Sequence, residues 1–255
     1  MGKTLATVYD DAPYRYTGTK TKVKNWYSGY YRGLTTVRDA IAYSLNIITA
    51  KTMEDVTPQV GYDYLLKLGF TTLVDHEVDE NGKVHSDIVQ PLALGGITNG
   101  VTNMELTAAY AAIANQGVYV KPRLYTKIID HEGNVLYKNK KKSNQVMKES
   151  TAWLLTDAMK DVIKKGTGTK AQLNSDMPVA GKTGTTSNDV DFWFSGYTPY
   201  YTASIWMGYD VNKSFNGGNY HKIIWKKIMD QAIDAKDQKI KDFPDCKDIV
   251  KRTIC

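Results

Sequence analysis

Cysteine is close to absent. Cys246 and Cys255 are the two cysteines among 255 residues, and both sit in the last stretch of the chain, where a bridge would close a short loop and anchor little. That excludes a disulfide framework, and the pair is too few and too terminal for a zinc site. Histidine is sparse too: His76, His85, His131 and His221 form no pair at the helical spacing of a metal site, and their settings predict solvated loop histidines. No metal and no cofactor is expected. Long apolar runs are also missing. The longest, residues 108–114, falls far short of the about 20 apolar residues that cross a bilayer. The opening Met-Gly-Lys-Thr-Leu-Ala lacks a signal-peptide stretch, and Ala6 stands where a myristoylation motif needs Ser or Thr. No segment is expected to span a membrane, and if the protein works outside the cell its export signal is expected outside this sequence. There are no internal repeats.

What is present describes an ordinary globular chain: 42% hydrophobic and 24% charged residues, with a net charge of +6. At this length folding buries roughly three quarters of the unfolded surface, so apolar burial alone can stabilise it.

Residues 9–33, rich in Tyr, Gly and Lys without a sustained period, predict an extended surface loop pinned by its aromatics. From Thr35 the period turns helical. Val37, Ala40, Ile41 and Ser44 share a face, and Ile47, Ile48 and Lys51 resume after a break placed at Asn46, so Ser44-Leu45-Asn46 lies near a joint between two helices. Further helices are predicted at 58–68 and from the Thr102–Glu105 capping-box spacing to Gly117. Residues 123–139 predict a hairpin, the lysines at 138–142 a solvated loop, and Ser150 opens a long amphipathic helix stopped by Gly166 and Gly168. Short β-type segments at 178–185, 191–197 and 201–209 precede a last helix over 219–235. Helices followed by a small antiparallel sheet predict an α+β fold. The division is a mainly helical part over 34–177, sheet strands and a final helix over 178–235, and a basic, flexible tail over 236–255.

Gly181-Lys182-Thr183 could close a phosphate-binding loop, but the leading glycine position holds Asp176 and no helix follows, so nucleotide binding is not expected. A different chemistry fits. Lys182-Thr183-Gly184-Thr185 on a strand, with Ser44-Leu45-Asn46 upstream, resembles the motif pair of penicillin-recognising serine acyl-transferases, which implies that the two form walls of one cleft. The residue types suit a ligand with an acidic end, since a lysine and two threonine hydroxyls hold a carboxylate by charge-assisted hydrogen bonds and Gly184 leaves room along the strand edge. Ser44 could relay a proton between Lys182 and a leaving amine, and the Asn46 amide could hold a carbonyl or orient a lysine. Ser-x-Asn alone is weak, since Ser214-Phe215-Asn216 matches it as a polar turn.

Three longer stretches strengthen the assignment. TVRDAIAYSLNIITAK, LALGGITNGVTNMELTAAYAAIANQGVYVKP and AGKTGTTSNDVDFWFSGYTP occur in order, after YDDAPYRY and YRGLTTVRDA. Together, from about residue 4 to about 235, they resemble the transpeptidase domain of bifunctional class A penicillin-binding proteins of the Gram-positive type. The resemblance implies a penicillin-recognising serine transferase fold and a peptidoglycan D,D-transpeptidase acting on D-Ala-D-Ala stem peptides and binding β-lactams, at the extracytoplasmic face of the bacterial membrane. Over residues 1–235 the chain would be the C-terminal portion of that domain. Carried over by position, Ser44, Asn46 and Lys182 are the catalytic candidates, and Thr183, Gly184 and Thr185 bind substrate, with the Thr185 N–H as an oxyanion-hole donor.

The family's nucleophile motif, Ser-x-x-Lys, is missing: none of serines 28, 44, 86, 143, 150, 175, 187, 195, 204 and 214 has Lys three residues on. The chain alone is expected to be inactive, with the motif on an upstream segment or a companion chain. In the family the sheet also uses strands that precede the nucleophile, so the 201–209 strand is expected to show an open edge for that companion to cover. Two other readings share part of the pattern: a serine β-lactamase or D,D-carboxypeptidase on the same fold, or a non-catalytic basic binding module for anionic polymers. A pI near 9.0 suits the last. No nucleic-acid partner is expected, and Trp153, Trp193 and Trp206 are predicted core residues.

Overall fold

The computed structural model describes residues 2–250 and 252. The N-terminal third is a ribbon-and-helix layer. β1 (Val8–Asp11) pairs antiparallel with β4 (Gly33–Thr36), and between them β2 (Tyr14–Arg15) pairs with β3 (Lys22–Val23). The stretch predicted as extended loop is therefore two short ribbons, held by Tyr14 and Tyr16 against Val23 and Ile47. α1 (Val37–Tyr43) starts where the Thr36 hydroxyl accepts from Asp39 N–H, and α2 (Asn46–Val56) follows. The joint falls at Ser44-Leu45, so Asn46 is the first residue of α2 and not the break itself. α3 (Pro58–Lys67) begins on a proline, whose missing N–H costs a helix start nothing.

A ribbon of β5 (Glu77–Val78) and β6 (Val84–His85) leads to α4 (Asn103–Ala114), whose Thr102–Glu105 capping box forms as the sequence predicts. β7 (Val118–Val120) pairs with β10 (Ser143–Gln145), and the hairpin of β8 (Lys127–Ile129) and β9 (Val135–Lys138) projects between them. Lys138, Lys140, Lys141 and Lys142 are exposed. α5 (Glu149–Lys164) buries Ala152, Thr156, Met159, Val162 and Ile163, one face of a 3.6-residue period.

The core forms around a three-stranded antiparallel sheet in the order β11 (Ala180–Thr185), β12 (Phe192–Tyr197), β13 (Thr202–Met207). α6 (Tyr220–Asp234) lays His221, Trp225, Met229 and Ile233 on one sheet face, where Trp225 meets Phe194 edge-on at 5.0 Å. The opposite face carries Ala180 and Tyr197 into a cluster with Met159, Leu155 and Tyr110 from α5 and α4. Covered on both faces, residues 194–197 of β12 are continuously buried. β12 is the central strand. Among the described residues no strand pairs with the outer edge of β13, where the Asn103 amide donates to Ser204 O at 3.3 Å.

Three expectations are corrected. His221 is no loop histidine: it lies in α6, 2% exposed, because the helical period places it beside Trp225 on the face that meets the sheet. Of the three tryptophans predicted as core, Trp206 is exposed and Trp153 and Trp193 are half-buried, since Trp193 and Trp206 form a cross-strand pair beyond the helices' cover; the buried tryptophan is Trp225. The tail is docked over its described residues up to Cys246. Phe243 stacks edge-on against Tyr197 at 5.5 Å, Tyr200 Oη donates to Lys239 O at 2.7 Å, and Cys246 is buried. Cys255 lies outside the described residues.

Candidate active site

Ser44 closes α1 in the left-handed conformation, φ 56° and ψ 54°, with its N–H on Ala40 O and Ile41 O. A side chain there carries strain that glycine would not, a cost tolerated where the surroundings determine the conformation. The turn directs Leu45 into the core, where it is completely buried with Ala40 and Ile48, and leaves Ser44 at the surface of a crevice.

On the far wall of that crevice stands β11. Lys182 Nζ donates to Ser44 Oγ at 2.7 Å and to Thr183 O at 3.0 Å, joining residues 138 apart in sequence. Lys182 keeps some accessible surface, but its ammonium is closely enclosed, and that lost hydration pushes its pKa down to about 8. Thr186 N–H donates to Asp191 O across the hairpin, so alternation along the strand turns the backbone groups of Thr183 and Thr185 to the open edge of β11. Gly184 faces Trp193, and a Cβ there would come within 3.3 Å of the Trp193 Cβ. Thr185 is exposed at the strand end.

Asn46 lies on the same side as Ser44, at the start of α2, its amide donating to Lys24 O at 2.9 Å. This contact exposes a support that the sequence did not reveal. Asp11, completely buried, accepts from Asn25 Nδ2 at 2.8 Å, Tyr27 Oη at 3.0 Å and Arg32 N–H at 2.9 Å, fixing the loop from Lys24 to Arg32. Asn25 Oδ1 in turn accepts from Ile47 N–H, and Trp26 Nε1 donates to Tyr43 O at 2.9 Å. The loop thus holds both ends of the Ser44-Leu45-Asn46 corner. A second missed residue is Thr167, whose hydroxyl lies 2.6 Å from that of Thr183. Its only sequence signal was a Gly-Thr-Gly run, which predicts a helix stop.

His221 stands apart from this crevice, and burial pushes its pKa down to about 4. No group of His, Cys, Asp and Glu among the described residues is arranged to hold a metal ion. Chemically, the crevice offers a lysine of lowered basicity touching a serine hydroxyl, an asparagine amide, and an open strand edge bordered by threonines. It suits a ligand that is peptide-like along its length and acidic at one end.

Comparison with known proteins agrees. The family model described as "Penicillin binding protein transpeptidase domain" matches residues 3–230. The chain is 32% identical over 252 residues to penicillin-binding protein 1A of Clostridium novyi, covering 95% of this chain and 28% of that protein. It is 33% identical over 216 residues to penicillin-binding protein 1F of Bacillus subtilis, covering 81% and 28%. The chain thus spans less than a third of the length of these curated relatives. Among solved structures, PonA1 of Mycobacterium tuberculosis in complex with penicillin V superposes with a TM-score of 0.81 at 26% identity, covering 95% of this chain and 67% of that one. The fold is that of the penicillin-recognising serine transferases.

Proposed function

From its family, the penicillin-binding-protein transpeptidase domains, to which this chain belongs, we propose that it forms part of a peptidoglycan D,D-transpeptidase that cross-links stem peptides through a serine acyl-enzyme. The nucleophile comes from a Ser-x-x-Lys segment that is not in this sequence. Ser44, Asn46 and Lys182 are the catalytic groups of this chain: Lys182 and Ser44 relay the proton that the leaving amine needs, and the Asn46 amide orients the substrate carbonyl or the upstream lysine. Thr183, Gly184 and Thr185 hold the acidic end of a D-Ala-D-Ala stem peptide or a β-lactam against the strand edge, and the outward N–H of Thr185 donates to the oxyanion. One such donor is worth about 2.7–4 kcal/mol in acyl transfer. The observation that carries this reading is the 2.7 Å contact between Lys182 Nζ and Ser44 Oγ, which unites two motifs in one crevice.

The same reading assigns the outer edge of β13 to strands of the upstream segment, and places the whole at the extracytoplasmic face of the bacterial membrane. No helix of the described residues is long and apolar enough to cross a membrane. Intact-mass spectrometry after penicillin treatment tests the assignment: this chain alone gains no acyl adduct, and the protein with its upstream segment gains one that deacylates slowly. An adduct on this chain overturns the placement of the nucleophile, and rapid deacylation moves the reading to a β-lactamase. Salt-dependent binding to anionic polymers, with no β-lactam adduct on the longer protein, replaces it with a basic binding module.

A further inference from the structure

The turn after α5 touches every wall of the crevice. Thr167 N–H donates to Ala42 O at 3.2 Å, two residues before Ser44. Its hydroxyl lies 2.6 Å from Thr183 Oγ1, and its carbonyl accepts from Lys222 Nζ of α6 at 3.2 Å. A Cβ on the preceding Gly166 would fall 2.0 Å from Ala42 O, so the turn is pressed against the end of α1 without room for a side chain. One residue thus uses all three of its polar groups to tie α1, β11 and α6 together.

The charges around it are unusual. Lys182 shares a sheet face with Ser195, and Thr183 shares the opposite face with Phe194, against which α6 packs. Lys182 Nζ donates to the carbonyl of Thr183 and Lys222 Nζ to that of Thr167, so each residue of the hydroxyl pair has a lysine on its backbone. Lys222 is half-buried, and the charged neighbour it feels is another cation, Lys170. A threonine hydroxyl has one proton to give and two lone pairs to receive. If Thr183 gives its proton to a ligand carboxylate, the 2.6 Å partner must be the donor to Thr183.

We propose that Thr167 is a positioning residue: held through its carbonyl by Lys222, it donates its hydroxyl proton to Thr183 and so aims the Thr183 proton at the acidic end of the substrate. This rests on the transpeptidase reading above, and it adds a residue that neither recognised motif contains. A carboxylate ligand should feel the loss of Thr167, and one with that charge masked should not.

The test uses the protein together with its Ser-x-x-Lys segment, a penicillin with a free carboxylate, and the methyl ester of the same penicillin. Acylation rates are resolved into a binding constant and a limiting rate. Thr167→Val is expected to weaken binding of the acid by about tenfold while leaving its limiting rate and the reaction of the ester near wild type. Thr167→Ser restores the acid to within about threefold, because it restores the hydroxyl. Lys222→Met lowers the preference for acid over ester in the same direction, and it keeps the proposal testable if Thr167→Val fails to fold. Equal losses for acid and ester reduce Thr167 to a structural part and overturn the proposal, as does a Thr167→Val protein that reacts like wild type. A wild type acylated by neither compound overturns the transpeptidase reading itself, and this role with it.

Discussion

Lys182 is charged at neutral pH in a place where it has lost much of its hydration, and its pKa near 8 makes that charge conditional. The lowered value means the proton leaves as pH rises through 8, well before an exposed lysine would release one. Binding of an acetylated D-Ala-D-Ala peptide should therefore be about tenfold weaker at pH 9 than at pH 7, as read by titration calorimetry, and Lys182→Met should bind weakly with no such slope. A flat wild-type profile would remove Lys182 from the binding step. His221 titrates in the opposite part of the range. Its folded pKa of about 4 lies below the ordinary value of 6.5, so the folded state holds fewer protons between the two, and stability is complete above 6.5 and falls as pH drops toward 4. The loss is of the order of 3 kcal/mol. Thermal unfolding of wild type between pH 7 and 4.5 should show this decline, and His221→Phe should flatten it.

At the level of elements, the crevice depends on how the ends of helices are held. α1 is tied to α5 by Arg38, which pairs with Asp157 and with Asp161 at 3.2 Å, and by Lys165 on Asp39 at 2.9 Å. These partly exposed pairs contribute little individually, so the close backbone approach at Gly166 carries most of the register between the two helices. Gly166→Ala should cost about 3 kcal/mol by chemical denaturation, since the new methyl meets backbone and not a mobile side chain. It should also weaken β-lactam acylation of the complete protein by moving Ser44 away from Lys182; an unfolding midpoint equal to wild type would show that the turn can yield. The loop from Lys24 to Arg32 has a comparable role on the Asn46 side. Replacing Asp11 with Ala leaves Tyr27 Oη and Arg32 N–H without their acceptor, at a cost of about 1–3 kcal/mol for each donor that stays buried.

Over the whole molecule, the sheet is bounded unequally. The edge of β11 is bordered by threonines and Lys182, whereas β13 carries a partly exposed edge beside Trp206, with the Asn103 amide on one carbonyl. Open edges of this kind recruit other strands. The isolated chain should self-associate as its concentration rises in light scattering, and addition of the upstream strands should return it to a single species. A monodisperse, cooperatively unfolding monomer of this chain alone would argue that α4 covers the edge well enough. The docked tail works in the other direction, since Phe243 closes the Tyr197 cluster from outside and adds apolar cover at the base of the sheet.

Local chemistry made much of this legible from residues alone. The capping box at Thr102, the amphipathic period of α5, the hairpin turn at Glu132-Gly133-Asn134 and the α+β order of elements each follow from patterns within about 18 residues of one another, which is the reach of helix and strand periodicity. The Ser44-Leu45-Asn46 and Lys182-Thr183-Gly184 motifs are weak signals by themselves and became legible through the resemblance of the longer stretches around them. The rest came with tertiary contact. Burial of His221, exposure of Trp206, docking of the tail, and the roles of Asp11 and Thr167 in holding the crevice depend on partners from 13 to more than 120 positions away. A sequence lists donors and acceptors, but only packing decides which lose water and must find each other.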